Sequence, residues 1–158
     1  MTGTTAVEAE PEFAGIVSRG FAFALDVAIL QAILFVLGAV ITLIAEAFGD
    51  VSIDVSALEV VLGAIAWMIA FNLYLIAFWW LAGQTPGMRI LGIQVRTTEG
   101  GPVTPRRGLV RAAGMILAAI PLFAGYVPIL LNERRQGFHD KLANTLVTYR
   151  RPAPATRV

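Results

Sequence analysis

Three stretches of the chain are apolar over most or all of the length that a membrane-spanning helix needs. They cover residues 20–45, 60–83 and 112–131, and the charged residue within them is Asp26. About 20 apolar residues cross the hydrocarbon core of a bilayer as a helix. Because 57% of the residues are hydrophobic and 15% are charged, the composition also indicates a membrane protein rather than a soluble domain.

The first apolar stretch does not have the pattern of a cleavable signal peptide. It is too long, and its N-terminal flank is acidic, with Glu8, Glu10 and Glu12. No convincing small-residue cleavage site follows Ala45. We therefore expect this stretch to remain as a transmembrane helix.

The distribution of charge predicts the orientation. The loop after the first stretch is acidic and has no Lys or Arg, whereas five arginines follow the second stretch: Arg89, Arg96, Arg106, Arg107 and Arg111. Six more basic residues follow the third stretch: Arg134, Arg135, Lys141, Arg150, Arg151 and Arg157. The positive-inside rule then predicts a multi-pass membrane protein with both termini in the cytoplasm.

A cytoplasmic C-terminus conflicts with a third complete span, and the prolines of the third stretch suggest how the conflict is resolved. Pro121 and Pro128 each remove a helical hydrogen bond, which favours two short half-helices that enter and leave on the same side. The alternative is one kinked span with a basic tail outside. We prefer the re-entrant hairpin, whose turn would need protein or water around its backbone.

The resulting fold class is an all-α membrane protein with two full transmembrane helices, a proline-broken third segment and a small cytoplasmic β element. The β element is predicted from residues 90–98 and 144–149, which are rich in β-branched and aromatic positions. Residues 1–12 read as a disordered tail, 13–150 as the membrane domain and 151–158 as a flexible tail. Alternating Val and Ile in the loop 48–56 suggest a short external turn or strand.

Polar residues are rare inside the first two helices, and Asp26 is the most informative of them. A charge at membrane depth costs about 3 kcal/mol or more, so Asp26 is either a proton- or cation-binding group or a polar contact that holds two helices together. Asn72 and Gln31 lie at similar depth in an antiparallel pair and are candidates to complete a polar site. Arg19, two helical turns before Asp26, is either its charge partner or a topology anchor.

Two further motifs carry polar residues at the basic side. In residues 83–92, Gln84 and Thr85 precede Pro86-Gly87, which favours a type II turn that leaves Arg89 near the membrane surface. In residues 136–145, His139 and Asp140 are adjacent and do not face each other along a helix, so a catalytic dyad is not expected. Asp140 is instead expected to cap a turn or to pair with Arg89 or Arg111.

The chemistry that the composition excludes is also clear. There is no cysteine and a single histidine, so we expect no disulfide, thiolate or multi-histidine metal site. No nucleophile–base set or phosphate loop is present, and the net charge of +1 gives no reason to expect a nucleic-acid partner. We predict that the chain is not an enzyme and needs no cofactor.

Taken in order, these motifs resemble the RDD family of bacterial membrane proteins, named for one arginine and two aspartates. The resemblance runs from Val17 to Arg150, and its arginine and aspartates fall on Arg19, Asp26 and Asp140. The same motifs contain a second set of polar and glycine positions: Gln84, Thr85, Gly87, Arg89, Arg111, His139 and Thr145. One departure is Met88, which stands where a basic residue often precedes the arginine.

The resemblance implies a transporter of ions or small solutes, since some members are similar to monovalent cation/proton antiporters. Asp26 would then carry the proton or cation, Arg19 would modulate its charge, and Asp140 would brace the site through the arginines. Two or three spans are too few to enclose an aqueous path, so we expect the chain to assemble in the lipid bilayer, either as a homo-oligomer or with another membrane protein. The rival hypothesis is a non-transporting accessory subunit that binds a partner protein or anionic lipid.

Overall fold

The computed structural model describes residues 11–49 and 56–150. Two helices in these ranges are long and apolar enough to cross a membrane: α1 (Ile16–Phe48, 33 residues) and α2 (Ala57–Ala82, 26 residues). At 1.5 Å per residue they are about 50 and 39 Å long. The prediction of two long apolar helices is therefore confirmed. The predicted tails, apart from residues 11 and 12, and most of the loop 48–56 lie outside the described residues.

The ends of α2 follow from local sequence. Ser56 accepts a hydrogen bond from the amide of Glu59, whose carboxylate accepts one from the Ser56 amide in return, so a capping box begins the helix. Gly83 ends it with a positive φ of 68°, and its amide donates to the Trp79 carbonyl. A left-handed residue at this position is sterically easy for glycine.

The remaining elements are short and gather at the end of the molecule where α1 begins and α2 ends. In chain order they are α3 (Pro86–Ile90), β1 (Ile93–Thr97), α4 (Pro105–Ala119), a 3₁₀ turn (Ala124–Tyr126), α5 (Pro128–Leu131), α6 (Phe138–Ala143) and β2 (Thr145–Tyr149). Strands β1 and β2 pair antiparallel, with Val95 opposite Val147. The predicted small sheet is confirmed in the two regions expected.

The third apolar stretch is not one continuous helix. Helix α4 ends at Ala119, and Leu122 and Phe123 then adopt positive φ values of 50° and 61° as the chain reverses. The chain folds back on α4 so closely that a Cβ at Gly125 would clash with Ala118. The phenolic hydroxyl of Tyr126 donates to the Met115 carbonyl at 3.2 Å.

The strands also hold the start of α1. The Ala14 amide donates to the Val147 carbonyl, and Phe13 forms an isolated bridge with Thr148. A core of buried side chains fills the space between this sheet and the helix ends: Ala14, Ala22, Phe71, Leu75, Trp79, Met88, Ile93, Val95, Val103, Ala112 and Val147. Beyond this core the long helices have exposed apolar surfaces, as expected for helices that lie in lipid.

Candidate functional site

Asp26 is buried and bound by three hydrogen-bond donors. Its Oδ1 accepts from the Gly87 amide at 2.7 Å and from the Tyr74 hydroxyl at 2.9 Å, while its Oδ2 accepts from the Thr85 hydroxyl at 2.5 Å. The carboxylate is 2% exposed, so these donors replace the water that it would bind at a surface. Asp26 therefore joins α1 to α2 and to the start of α3. We refer to these four residues as the Asp26 cluster.

The segment that supplies two of these donors is a helix, so the prediction of a type II turn at Pro86-Gly87 was wrong. Thr85 is the N-cap of α3 and accepts from the Met88 amide at 3.2 Å, and Pro86 is the first helical residue. Gly87 is needed for close approach rather than for positive φ. A Cβ there would collide with the Ala22 carbonyl oxygen and lie 2.9 Å from the Asp26 carboxylate.

A second cluster surrounds Asp140. Its Oδ2 accepts from Arg19 at 2.5 Å and from the Gly137 amide at 3.0 Å, and its Oδ1 pairs with Arg111. Arg111 also donates to the Thr145 hydroxyl at 2.8 Å. One carboxylate thus pairs with arginines from α1 and α4 while it caps α6. We refer to this set as the Asp140 cluster.

Burial and the neighbouring charges set the protonation states of His139 and Asp140. Burial raises the pKa of Asp140, but the attraction of Arg111 and Arg19 outweighs this and lowers it to about 2. Burial and the repulsion of Arg111 lower the pKa of His139 to about 4, although its Nε2 lies 3.6 Å from Asp140. At neutral pH, Asp140 is therefore ionised and His139 is uncharged.

These contacts bear on three sequence expectations. Arg19 binds Asp140, the Ala14 carbonyl and the Arg135 carbonyl, so it does not serve as the charge partner of Asp26. Arg111, one of the two arginines expected to pair with Asp140, does so. His139 approaches Asp140 despite being its neighbour in sequence, because the side chains converge at the start of a short helix.

Other predicted residues lie apart from the two clusters. The Asn72 amide donates to the Met68 carbonyl of its own helix at 2.8 Å, and Gln31 is exposed on α1. Arg89 is exposed at the end of α3, and Gln84 is half-buried. The polar site that we expected from Asn72, Gln31 and Asp26 is therefore not assembled within this chain.

Sequence analysis missed Tyr74, which supplies a donor to Asp26, and Trp79, whose ring lies 4.9 Å from the Arg111 guanidinium carbon. Trp79 is buried on α2 with Phe71 and Leu75, and Tyr74 is partly buried against the same core. Trp79 follows Leu75 by four residues and Tyr74 follows Phe71 by three, so each neighbours a buried residue of α2, but aromatic residues in such positions usually signal packing alone. No local signal therefore distinguished these two from the aromatic residues around them.

A cavity of about 430 Å³ lies between the two clusters. Asp26 and Thr85 of the first cluster line it, as do Arg19 and Arg111 of the second. The other lining residues are mostly apolar: Ile16, Gly20, Phe23, Leu75, Trp79, Met88, Met115, Phe123, Tyr126, Ile129 and His139. Within residues 11–49 and 56–150, no group of three or more His, Cys, Asp or Glu side chains forms a metal site. The cavity suits a partly apolar small molecule.

Comparison with known proteins agrees with the resemblance noted in the sequence. The model of the RDD family matches residues 13–144. The uncharacterized protein YxaI of Bacillus subtilis (strain 168) is 33% identical to this chain over 66 residues, which cover 42% of the chain and 43% of that protein. The aligned part is thus less than half of the relative's length. No solved structure matches the chain.

Proposed function

This chain belongs to the RDD family, and we propose that it transports ions or small solutes across a bacterial inner membrane. The observation that carries the proposal is the cavity between the Asp26 and Asp140 clusters. Its lining includes a carboxylate and two guanidinium groups among apolar side chains. Charged groups that meet at one largely apolar cavity are typical of solute sites in membrane proteins.

Asp26 is the residue that we assign to a coupling proton or monovalent cation. Its carboxylate lines the cavity and accepts all three hydrogen bonds that tie α1 to Tyr74, Thr85 and Gly87. A proton on either oxygen would remove one acceptor position and weaken the contact with α3. Proton binding to Asp26 would therefore loosen one wall of the cavity. In this way the exchange of a proton for a solute would be coupled to opening of the cavity.

The proposed topology has both chain ends on the cytoplasmic side, with the third apolar segment as a re-entrant hairpin. Its support is the bridge between Phe13 and Thr148, which brings together chain positions on either side of all three apolar stretches. The arginine-rich segments lie in this same part of the chain, where the positive-inside rule assigns the cytoplasm. The reversal after Ala119 is consistent with a segment that returns to its side of entry.

Assembly is part of the proposal, because two long helices do not enclose an aqueous path. The most apolar stretch of α1 has no buried residue, and side chains such as Phe35, 73% exposed, have no covering element among the described residues. Lipid covers some of this surface, and we propose that a second copy covers the rest. A single chain in native-like lipid that still transports would contradict this part of the proposal.

The test is proton flux driven by Na⁺, K⁺ or Li⁺ gradients in proteoliposomes. We expect flux with the wild type and at least a tenfold loss with Asp26→Asn. The matched control is Glu46→Gln, which makes the same carboxylate-to-amide change at an exposed position of α1 and should transport normally. Absence of flux for all three cations, or full flux in Asp26→Asn, would overturn the assignment of cation/proton exchange.

A non-transporting accessory subunit is the second candidate. The observation in its favour is the apolar surface of α1 and α2, which would also suit the helices of a different membrane protein. Purification in native lipid nanodiscs followed by mass measurement separates the two. A constant second polypeptide together with no flux would favour the accessory role, whereas homo-oligomers with flux would favour the transporter.

A further inference from the structure

Three buried nitrogen atoms around the cavity have no hydrogen-bond partner among the described residues. They are Trp79 Nε1, Arg111 Nε and His139 Nδ1. Each of these residues is 3% exposed or less, and each lines the cavity. A buried polar group without a partner has lost its hydrogen bonds to water and gained none in return, which is unfavourable. Because all three nitrogens belong to residues that line one cavity, this cavity is where a hydrogen-bonding ligand would find free partners.

The charge of this wall selects an acidic ligand. Arg19 and Arg111 carry two positive charges against the one negative charge of Asp140, and the low pKa of His139 keeps that ring uncharged at neutral pH. The remaining donors at Trp79 and Arg111 suit an oxygen acceptor. Asp26 lines another part of the cavity, where Tyr74, Thr85 and Gly87 donate to its carboxylate, so the surplus positive charge belongs to the wall that Arg19 and Arg111 form.

The rest of the cavity suits a hydrocarbon. Its walls include Ile16, Phe23, Leu75, Met115, Phe123 and Ile129. The volume of about 430 Å³ falls within the range of about 300–1,000 Å³ that is usual for small-molecule sites. An apolar wall next to a positively charged wall matches a molecule with a short hydrocarbon chain and one acidic group.

We infer that the cavity binds an amphipathic anion, with its acidic group at Arg111 and Trp79 and its hydrocarbon chain along the apolar wall. A free carboxylic acid and an anionic lipid share this chemistry. The inference rests on the proposed function only in that it names the substrate class of the same site. Binding itself does not require transport, so the two are tested separately.

The experiment measures saturable binding of radiolabelled decanoate to the full chain in phosphatidylcholine nanodiscs. We expect unlabelled decanoate to displace the label, and decanol and decylamine of equal chain length to displace it at least tenfold less well. Empty nanodiscs give the partition of decanoate into lipid. Equal displacement by all three compounds would overturn the anionic assignment.

Two pairs of variants locate the site. Trp79→Phe keeps a ring but removes the Nε1 donor, and we expect about tenfold weaker binding; Trp67→Phe removes an equally unpartnered donor of α2 outside the cavity and should bind normally. Gly20→Leu adds a side chain at the cavity lining, whereas Gly38→Leu adds it elsewhere on α1. A Cβ meets no atom within 4 Å at either glycine, so both variants are expected to fold.

We expect Gly20→Leu to reduce decanoate binding at least fivefold and Gly38→Leu to leave it unchanged. If Trp79→Phe and Gly20→Leu both bind like their controls, the inference is wrong. Replacing phosphatidylcholine with phosphatidylglycerol identifies the source of the anion. Weaker decanoate binding in phosphatidylglycerol would show that the anionic lipid competes for the site, whereas unchanged binding would support a free acid as the ligand. Decanoate binding without cation-driven proton flux would overturn cation/proton exchange and leave this inference standing. Flux without decanoate binding would overturn this inference and leave cation/proton exchange standing.

Discussion

Arg19, near the start of α1, donates a hydrogen bond of 2.5 Å to Oδ2 of Asp140, which lies 121 positions later in the chain. Of the two motif aspartates, Arg19 thus pairs with Asp140, and Asp26 accepts its hydrogen bonds from other donors. This contact anchors α6, and through it the sheet, to the beginning of a long apolar helix. It also places Arg19 at the cavity that Asp26 lines from the other side.

Replacing Asp140 with asparagine should destabilise the protein severely. The change leaves the largely buried Arg19 and Arg111 without a counter-charge, and it replaces one of the two oxygens that they bind with an amide NH₂ group, which cannot accept a hydrogen bond. Breaking a buried ion pair by removal of one partner costs about 3–5 kcal/mol. The melting temperature in nanodiscs should fall strongly for Asp140→Asn and little for the exposed Glu133→Gln.

Loss of the Arg19 charge should partly offset the loss of Asp140. The double variant Arg19→Gln/Asp140→Asn restores the net charge of the Asp140 cluster, so its destabilisation should be smaller than the sum of the single changes by about 1 kcal/mol or more. Strict additivity of the three measured values would show that the contact contributes nothing.

The Asp26 cluster should respond as a coupled unit. Thr85→Val keeps the shape of the side chain but removes both the donor to Asp26 and the cap of α3. Removing one partner of a buried charged hydrogen bond costs about 1.5–3 kcal/mol. We expect Thr85→Val and Asp26→Asn each to lower the melting temperature, with the combined change less than additive. The control is Thr104→Val, at an exposed threonine that caps α4 without a contact to Asp26. It should lower the melting temperature only by the amount that loss of a helix cap explains.

Gly87→Ala should be destabilising even though alanine is the better helix former. The added Cβ meets the Ala22 carbonyl oxygen and the Asp26 carboxylate, so α3 must move away from α1. Overpacking of this kind costs about 1–3 kcal/mol. The same substitution at Gly63 of α2 meets no atom within 4 Å and should be neutral or stabilising by up to about 1 kcal/mol. Thermal unfolding of the two variants side by side measures the difference, and equal melting temperatures would contradict the close approach.

Stability should fall on mild acidification because of His139. Its pKa is lowered by burial to about 4 in the folded protein against 6.5 for an ordinary histidine, so the unfolded chain binds a proton in this window that the folded chain does not. As the pH falls from 6.5 to 4, about 3 kcal/mol of stability is lost. Asp140 contributes a separate loss below its ordinary pKa of 3.8, because its folded pKa is about 2.

The measurement is the melting temperature of wild type and His139→Gln between pH 4 and 7.5. Glutamine does not titrate, so the variant should show a flatter profile over this window. A profile for the variant that matches the wild type would assign the acid sensitivity to other groups.

Local patterns were sufficient for the long helices and the sheet. Uninterrupted apolar residues predicted α1 and α2, and β-branched residues predicted the strands that pair at Val95 and Val147. The turn at Pro86 was less certain from sequence, because proline followed by glycine suits both a turn and the first turn of a helix. A threonine before the proline, at the N-cap, is the local feature that favours the helix.

What the sequence by itself determined is that this is a helical membrane-type protein with rare polar residues at defined positions, because hydropathy and chain periodicity are properties of neighbouring residues. Only the tertiary structure decided which polar groups meet. Asp26 binds Tyr74, Thr85 and Gly87, and Arg19 binds Asp140, because short helices far apart in the chain pack at one end of α1 and α2. Which polar side chains bind each other depends on that packing, and no repeating pattern in the sequence records it.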